Sequence, residues 1–242
     1  RALVSEAGGR IVNSVIGKNK PQTMVVDVPH DTLPTMKQQL FSEGIASYVE
    51  PNMRFKICAE PNDPEWSKNW GLSKIKADFA WNTTTGSPSV VIAIVDTGVD
   101  WNHPDLSRNI WNNTDEQLDG IDNDGNGFVD DIRGWDFVDT TAPVWPGEDG
   151  TGQDNDPMDF DGHGTHCAGI AAAVGNNSVG VAGVCWNCKI MPVKCGYKNA
   201  QGEGCVEVDD AAAALIYAAD NHANIISCSW GEYYDSPTIR EA

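Results

Sequence analysis

Positive charge is what this chain has least of. Only 16 Lys and Arg stand against 35 Asp and Glu, a formal net charge of −19 over 242 residues. So few cations argue against a nucleic-acid partner, whose phosphates need Lys and Arg to neutralise them. Long apolar runs are missing as well. Nothing approaches the roughly 18 uninterrupted residues of a membrane-spanning helix, so no membrane span is expected. No H-E-x-x-H segment occurs, which removes the usual zinc-protease device. No secretory leader pattern occurs at Arg1, and because Arg1 is not a start methionine, removal of targeting and N-terminal segments stays open. The acidic balance fits either a strongly solvated surface or carboxylates clustered around cations.

Cysteine is present in an odd number, 7, so at least one is free or pairs outside the chain. Cys185-Trp186-Asn187-Cys188 has the C-x-x-C spacing of metal knuckles and redox pairs. A zinc site would want a second pair, and Cys195 with Cys205 offers a poor one. Disulfides are the expectation instead, with Cys195 and Cys205 closing a surface loop.

Residues 1 to about 57 read as a small α+β unit. Arg10–Ile16 and Thr23–Val28 are rich in β-branched residues and predict strands. A helix follows from Asp31 or Thr32 to Gly44, with Leu33, Met36, Leu40 and Phe41 on one face. Ile45–Glu50 predicts another strand, and Met53–Ile57 an extended tail. The segment Cys58–Glu65, with two prolines and no apolar periodicity, reads as a linker.

Beyond the linker, Ser89–Val95 is apolar on both faces and ends at Asp96. Such a run predicts a central strand of a parallel sheet covered by helices. In these sheets ligands and chemistry gather at the strands' carboxyl ends, where Asp96-Thr97-Gly98 sits. Lys189–Lys194 and Asn224–Gly231 predict further strands. Val208–Asn221 predicts a helix with Ala212, Leu215, Ile216 and Ala219 inward. The order strand, helix, strand, helix, strand describes an α/β layered domain.

A long acidic connection runs from 106 to 160, and loops of that length usually carry a function or a staple. Asp122, Asp124, Asn126, a glycine at the sixth position, the Phe128 carbonyl and Asp130 follow the first half of an EF-hand loop. Arg133 stands where the closing glutamate would be, so a calcium-stapled loop is expected rather than a full EF-hand. Oxygen ligands of this kind select calcium over softer metals.

The stretch Met158–Val174, MDFDGHGTHCAGIAAAV, carries His163 between two glycines to the mouth of a small-residue helix. An aspartate at a strand end and this histidine are two parts of a charge-oriented base. Val95-Asp96-Thr97-Gly98-Val99-Asp100, Asn102-His103-Pro104-Asp105-Leu106 and His163-Gly164-Thr165-His166-Cys167-Ala168-Gly169 resemble the aspartate and histidine motifs of the subtilisin-like serine proteases, the subtilases. The resemblance covers residues 61–242.

That resemblance implies a subtilisin-like parallel sheet layered with helices and a secreted serine endopeptidase acting on polypeptides. Asp96 would orient and His163 would act as the base, while His103 and His166 would be structural. Ser229-Trp230-Gly231 resembles the segment whose backbone pairs with substrate as an added strand. Cys167 resembles a buried, free family cysteine that takes no part in the chemistry. One calcium would be shared by Asp63, Asp105, Asn177 and the carbonyls of Val179 and Val181. Residues 1–58 resemble the ferredoxin-like inhibitory propeptide, here N-terminally incomplete, with its tail in the cleft and self-cleavage between Ile57 and Glu60. Residues 59–242 would be the N-terminal portion of the catalytic domain. The family's Gly-Thr-Ser-Met-Ala-like nucleophile motif does not occur here, so a second chain carrying the serine is implied and the fragment alone is expected to be inactive. Two rival readings stand beside it: a metalloprotease in which His163 and His166, at i and i+3, ligate zinc with an aspartate, against which the missing H-E-x-x-H speaks, and an inert, calcium-held pseudoprotease that only binds.

Overall fold

The computed structural model describes residues 2–15, 23–52 and 60–242. The chain divides into two compact units, Arg1–Ile57 and Cys58–Ala242.

In the first unit, α1 (Ala2–Glu6) leads into strands β1 (Arg10–Val15) and β2 (Thr23–Asp27), then α2 (Leu33–Ser42). The two strands pair antiparallel, with an irregularity between Ile11 and Asn13. Pro34 lies in the first turn of α2, where its fixed φ suits a helix start. The inward face of α2 is narrower than the sequence predicts: Met36 is buried but Phe41 is exposed. The predicted strand Ile45–Glu50 does not form. The backbone N–H groups of Ile45 and Ala46 turn back to the Leu40 carbonyl, closing the helix end through Gly44 at φ +65°. That cap uses the donors a strand would need. The predicted extended tail at 53–57 and the expected cleavage point lie outside the described residues.

The second unit opens with the short helices α3 (Trp70–Lys74) and α4 (Ala77–Ala80). Then come β3 (Val91–Asp96), β4 (Trp135–Asp136), α5 (His163–Ala172), β5 (Lys189–Lys194), β6 (Gly196–Lys198), β7 (Gly204–Val206), α6 (Val208–Asp220), β8 (Ile225–Ser227) and α7 (Pro237–Glu241). The main sheet has the order β4-β5-β3-β8 with every pairing parallel. From β3 the chain moves to β5 on one side and later crosses to β8 on the other. The carboxyl end of β3 is therefore the point where strand order reverses, the usual place for a site in an open α/β sheet.

Side chains alternate across a strand, and β3 shows why it must be apolar throughout. Ala93 and Val95 pack with Met191, Val193, Ala211, Ala214, Tyr217 and Ala218 beneath α6. Ile92 and Ile94 pack with Ile190, Ala168 and Ala172 beneath α5 on the other face. The inner face of α6 differs from the sequence expectation. Ala211, Ala214, Tyr217 and Ala218 are buried with Ala212, while Ile216 is half exposed. Ala211, Ala214 and Ala218 let the helix lie close to the sheet, and Tyr217 reaches past them to donate its hydroxyl to Asp131 Oδ2 at 2.6 Å.

Cys185 and Cys188 form a disulfide. The expected bridge from Cys195 to Cys205 is absent, and both thiols are free. Cys195 points into the core under α6, whereas Cys205 Sγ meets the Asn199 amide 3.2 Å away at the β6–β7 hairpin. The two sulfurs are committed to different environments.

The long acidic connection is clamped to the sheet by a buried lysine. Lys194 ends β5, opposite both Asp96 of β3 and Asp136 of β4, and is 1% exposed. Its ammonium lies 3.2 Å from Asp136 Oδ2 and 3.2 Å from Glu148 Oε1, and it donates to the Asp149 carbonyl. Burial pushes the Asp136 carboxyl up to about 7, against the pull of Lys194.

Removing one member of a buried ion cluster strands the others without a partner. Lys194→Ala is expected to destabilise the second unit by about 3–5 kcal/mol, read from the shift in urea unfolding. Asp136 is raised in the folded state, so its contribution is fully present below its unfolded value of 3.8 and is lost as pH rises through about 7. Asp136→Asn should remove that slope from a plot of unfolding free energy against pH.

Candidate active site

Asp96 is the last residue of β3 and is 2% exposed. Its Oδ1 accepts the Thr97 backbone N–H at 2.8 Å and lies 2.6 Å from His163 Nδ1. Asp96 Oδ2 is buried and has no hydrogen-bond partner among the described residues. The bond to Asp96 holds His163 above its ordinary pKa, with the charges of Asp161 and Asp159 adding to it and burial opposing it. The imidazole itself is about half exposed, so one edge is fixed and the other is free to meet solvent or ligand.

Close backbone approach makes this pairing possible. His163 is the first residue of α5, and Gly164 follows it against the β3 exit. A Cβ on Gly164 would come within 2.1 Å of the Gly98 carbonyl oxygen, which forces something to move. Gly98, at φ +102°, turns the chain just after Asp96 and leaves no room for a side chain against Pro157. Both glycines are therefore required by contact.

Asp159 is a member of this site that sequence reasoning missed. Its Oδ1 accepts from Thr97 Oγ1 at 3.0 Å and from the Gly162 N–H at 2.8 Å. Its Oδ2 accepts from the Thr165 N–H at 2.8 Å and the Thr165 hydroxyl at 2.6 Å. One carboxylate thus ties the strand end, the loop and the first turn of α5 together. The available signal was an acidic residue just ahead of a helix start, a capping pattern hidden within an acidic run.

Ser229-Trp230-Gly231 follows β8 after Cys228 as a segment without regular secondary structure. Trp230 donates its indole N–H to the Val95 carbonyl at 2.7 Å, pinning the segment to β3 just before Asp96. Burial pushes the Cys167 thiol's pKa up, and the Ser229 side chain opposes that. Cys167 sits one turn after His163 with its sulfur 4.0 Å from Nδ1, half buried rather than fully buried as the sequence suggested. Its partial exposure follows from α5 burying only Gly164, Ala168 and Ala172. Alongside lies a groove of about 710 Å³, walled by Val206, Val208, Trp230, Tyr234, Ile239 and Arg240 among others. His103 accepts the Asp105 N–H within a tight turn.

Two clusters could hold hard cations. In the first, Asp63 and Asp105 are buried carboxylates with no cationic partner among the described residues. Asp63 accepts the backbone N–H of Asn176 at 2.7 Å and of Asn177 at 3.3 Å. Asp105 accepts from the Asn177 amide at 2.7 Å and the Val181 N–H at 2.8 Å. The Asn177 side-chain oxygen in turn receives the Val179 N–H. Asp63, Asp105 and Asn177 are thus linked through this loop, while Val179 and Val181, expected to contribute carbonyls, donate their N–H groups to it.

The second cluster differs from the EF-hand-like set. Ligand atoms of Glu116, Asp124 and Asp131 lie within 4.8 Å of one another. Asp122 instead accepts the N–H groups of Gly125, Asn126 and Gly127, and Asp130 accepts those of Asp119 and Gly120. Asn126 donates to Asp124 and Asp131, and Phe128 turns its ring against Trp135, Phe137 and Tyr217. Burial pushes the Asp131 carboxyl up, with the Asp124 charge adding to that. Glu116 and Asp131 were missed because they flank the recognisable loop instead of lying at its alternating positions.

Residues 87–241 match the model of the subtilase family. The chain is 36% identical over 204 residues to the thermophilic serine proteinase of Bacillus sp. (strain AK1), covering 84% of this chain and 41% of that protein. It is 37% identical over 183 residues to thermitase of Thermoactinomyces vulgaris, covering 75% of this chain and 52% of thermitase. The chain thus spans about half the length of these curated relatives, or less. A solved structure from Pseudoalteromonas arctica, titled as a protease, superposes with a TM-score of 0.57 at 30% identity, covering 76% of this chain and 54% of its own. With its parallel sheet, its match across most of the second unit and this level of identity, the chain belongs to the subtilase family.

Proposed function

We propose that this chain carries the base and the orienting carboxylate of a serine endopeptidase, with the nucleophilic serine supplied by residues outside 1–242. The observation that supports it is the 2.6 Å contact between His163 Nδ1 and the buried Asp96 Oδ1 where the strand order reverses. An ionised Asp96 accepts the Nδ1 proton and so leaves Nε2 as the proton acceptor. A hydroxyl brought to Nε2 would lose its proton there, and Asp96 would stabilise the resulting imidazolium. Asp159 keeps the ring in place by fixing the first turn of α5. A polypeptide substrate would lie along Ser229-Trp230-Gly231, pairing with their backbone, with its side chains in the adjoining groove.

Calcium would serve the scaffold and not the reaction. The first cluster offers two buried carboxylates and an amide oxygen, and the Val179 and Val181 carbonyls are proposed to complete a hard set that suits calcium. At the second, Glu116, Asp124 and Asp131 are the proposed ligands, with Asp122 and Asp130 shaping the loop around them. The charge that bound calcium supplies would offset the repulsion within each cluster. Residues 1–58 are proposed to be a propeptide removed on maturation, and the protein to be secreted, which the Cys185–Cys188 disulfide favours.

A serine-directed phosphonate should label the full-length protein, and Asp96→Asn should abolish most of that labelling. No labelling with Asp96 and His163 intact would turn the reading towards an inert binding module. On the 242-residue chain, Asp96→Asn should lower the His163 pKa, because the bond that raises it is weakened; NMR titration of the ring protons reads this directly. Calcium chelation should lower stability by about 3 kcal/mol per site when calcium had stood 100-fold above its dissociation constant. Glu116→Gln and Asp105→Asn should each shrink that loss, measured as the calcium-dependent shift in melting temperature.

A further inference from the structure

The loop that enters α5 has an anchor on the β6–β7 hairpin. Asp159 fixes Gly162 and Thr165, whereas Asp161, two residues before His163, meets a different partner. Its Oδ2 lies 3.3 Å from Nζ of Lys198, the last residue of β6. The two side chains are only 27% and 17% exposed, so water screens the pair less than it would on an open surface. Gly162 follows at φ +100° with open space where a side chain would stand. A glycine in that conformation resists pivoting less than any other residue, and Asp161 therefore needs a hold of its own.

Lys198 is itself held in place. Its backbone N–H donates to Glu148 Oε2 at 2.9 Å, and its carbonyl accepts the Trp145 N–H at 2.9 Å. Its ammonium lies 5.9 Å from the centre of the Trp145 ring. Glu148 in turn faces buried Lys194, so the support runs back to the end of β5. Across the hairpin Lys198 pairs with Gly204, and Gly204, Cys205 and Val206 of β7 help wall the groove. One side chain thus joins the groove wall to the loop ahead of the imidazole.

We propose that Lys198 is a positioning residue for the base: through Asp161 it fixes the segment that enters α5 and keeps a further negative charge from settling on the imidazole. The charged groups that face His163 among the described residues are Asp96 from β3 and Asp159 and Asp161 from the loop. Cys167, on the same helix, stays a neutral thiol because burial pushes its pKa up. Asp96 has to be close, since it orients the ring. Asp159 is occupied by four donors, from Thr97, Gly162 and Thr165. Asp161 has Lys198 as its one cationic partner among the described residues. An imidazole raised too far would stay protonated at neutral pH and could take no proton from a hydroxyl. Lys198 limits that rise by restraining and neutralising Asp161. The hold on the loop rests on geometry; its bearing on the reaction rests on the proposed role of His163.

The quantity that tests this is the titration midpoint of His163 in the 242-residue chain, read by NMR from the ring protons. Lys198→Met should raise the midpoint by a few tenths of a pH unit, Lys198→Arg should keep it, and Asp161→Asn should lower it. In the Asp161→Asn background Lys198→Met should add little, because the carboxylate it restrains is gone. A midpoint that Lys198→Met leaves in place, or moves equally with and without Asp161, would overturn the assignment. Should Lys198→Met fold poorly, the other two variants decide: no lowering in Asp161→Asn, or a midpoint displaced in Lys198→Arg, also overturns it. In the full-length protein the acid limb of phosphonate labelling rate against pH should move with these midpoints. A purely structural role would lower labelling at every pH without moving the limb. If the midpoints move as stated but the full-length protein takes no label, the positioning role stands and the endopeptidase reading fails.

Discussion

The hydrogen bond between Asp96 and His163 is the interaction around which the second unit is arranged. An aspartate that is 2% exposed is costly to bury and has to be matched by donors. Thr97 and His163 supply two of them, and each depends on tight backbone geometry. Gly98 must turn the chain against Pro157, and Gly164 must let α5 meet the Gly98 carbonyl. The small residues of α5 extend the same requirement along the helix, since Ala168 and Ala172 let it lie close over Ile92, Ile94 and Ile190. Sheet packing and imidazole placement are therefore one constraint.

The acidic connection answers to that constraint from the other side. It leaves the site after Asp105 and returns at Asp159, whose carboxylate holds the first turn of α5. In between it is fastened to the core twice. Tyr217 of α6 donates to Asp131, and Lys194 of β5 holds Asp136 and Glu148. One fastening comes from the helix packed on the sheet and the other from the end of the strand beside Asp96. A disturbance at either anchor would be felt at the His163 end of the loop through Asp159, without touching the imidazole itself.

Much of this could be read from the sequence, for reasons specific to each element. The unbroken apolar run before Asp96 could only be a strand covered on both faces, and β3 is one. The small residues after His163 required close helix packing, which α5 shows. Elsewhere the signal was weak. An Ala-rich helix has little contrast between its faces, so the inward side of α6 was misread until Tyr217 and its partner Asp131 fixed it. Lys194 looked like an ordinary polar residue closing a strand, because its carboxylate partners lie 46 and 58 residues away in sequence. Ile45–Glu50 had strand-like composition, but the adjoining helix end used its first donors. Asp159, Glu116 and Asp131 were hidden because single acids in an acidic stretch are distinguishable only by what they contact.

The same contacts explain why the charge balance is so lopsided. Seven of the buried carboxylates fall into three groups by what meets them. Asp96 faces a histidine, Asp136 and Glu148 face a lysine, and Asp63, Asp105, Glu116 and Asp131 face only neutral N–H and O–H donors from the protein. The last group lacks the protein cations that would make burial of its charge favourable, which is the physical case for metal at those positions. Each of those clusters also borders the site: one through Asp105, which follows the turn out of β3, the other through the loop that ends at Asp159. The geometry of these carboxylate clusters and the placement of the imidazole are thus joined by the backbone between them. In such an arrangement the low count of Lys and Arg leaves these buried carboxylates to be met by neutral donors alone.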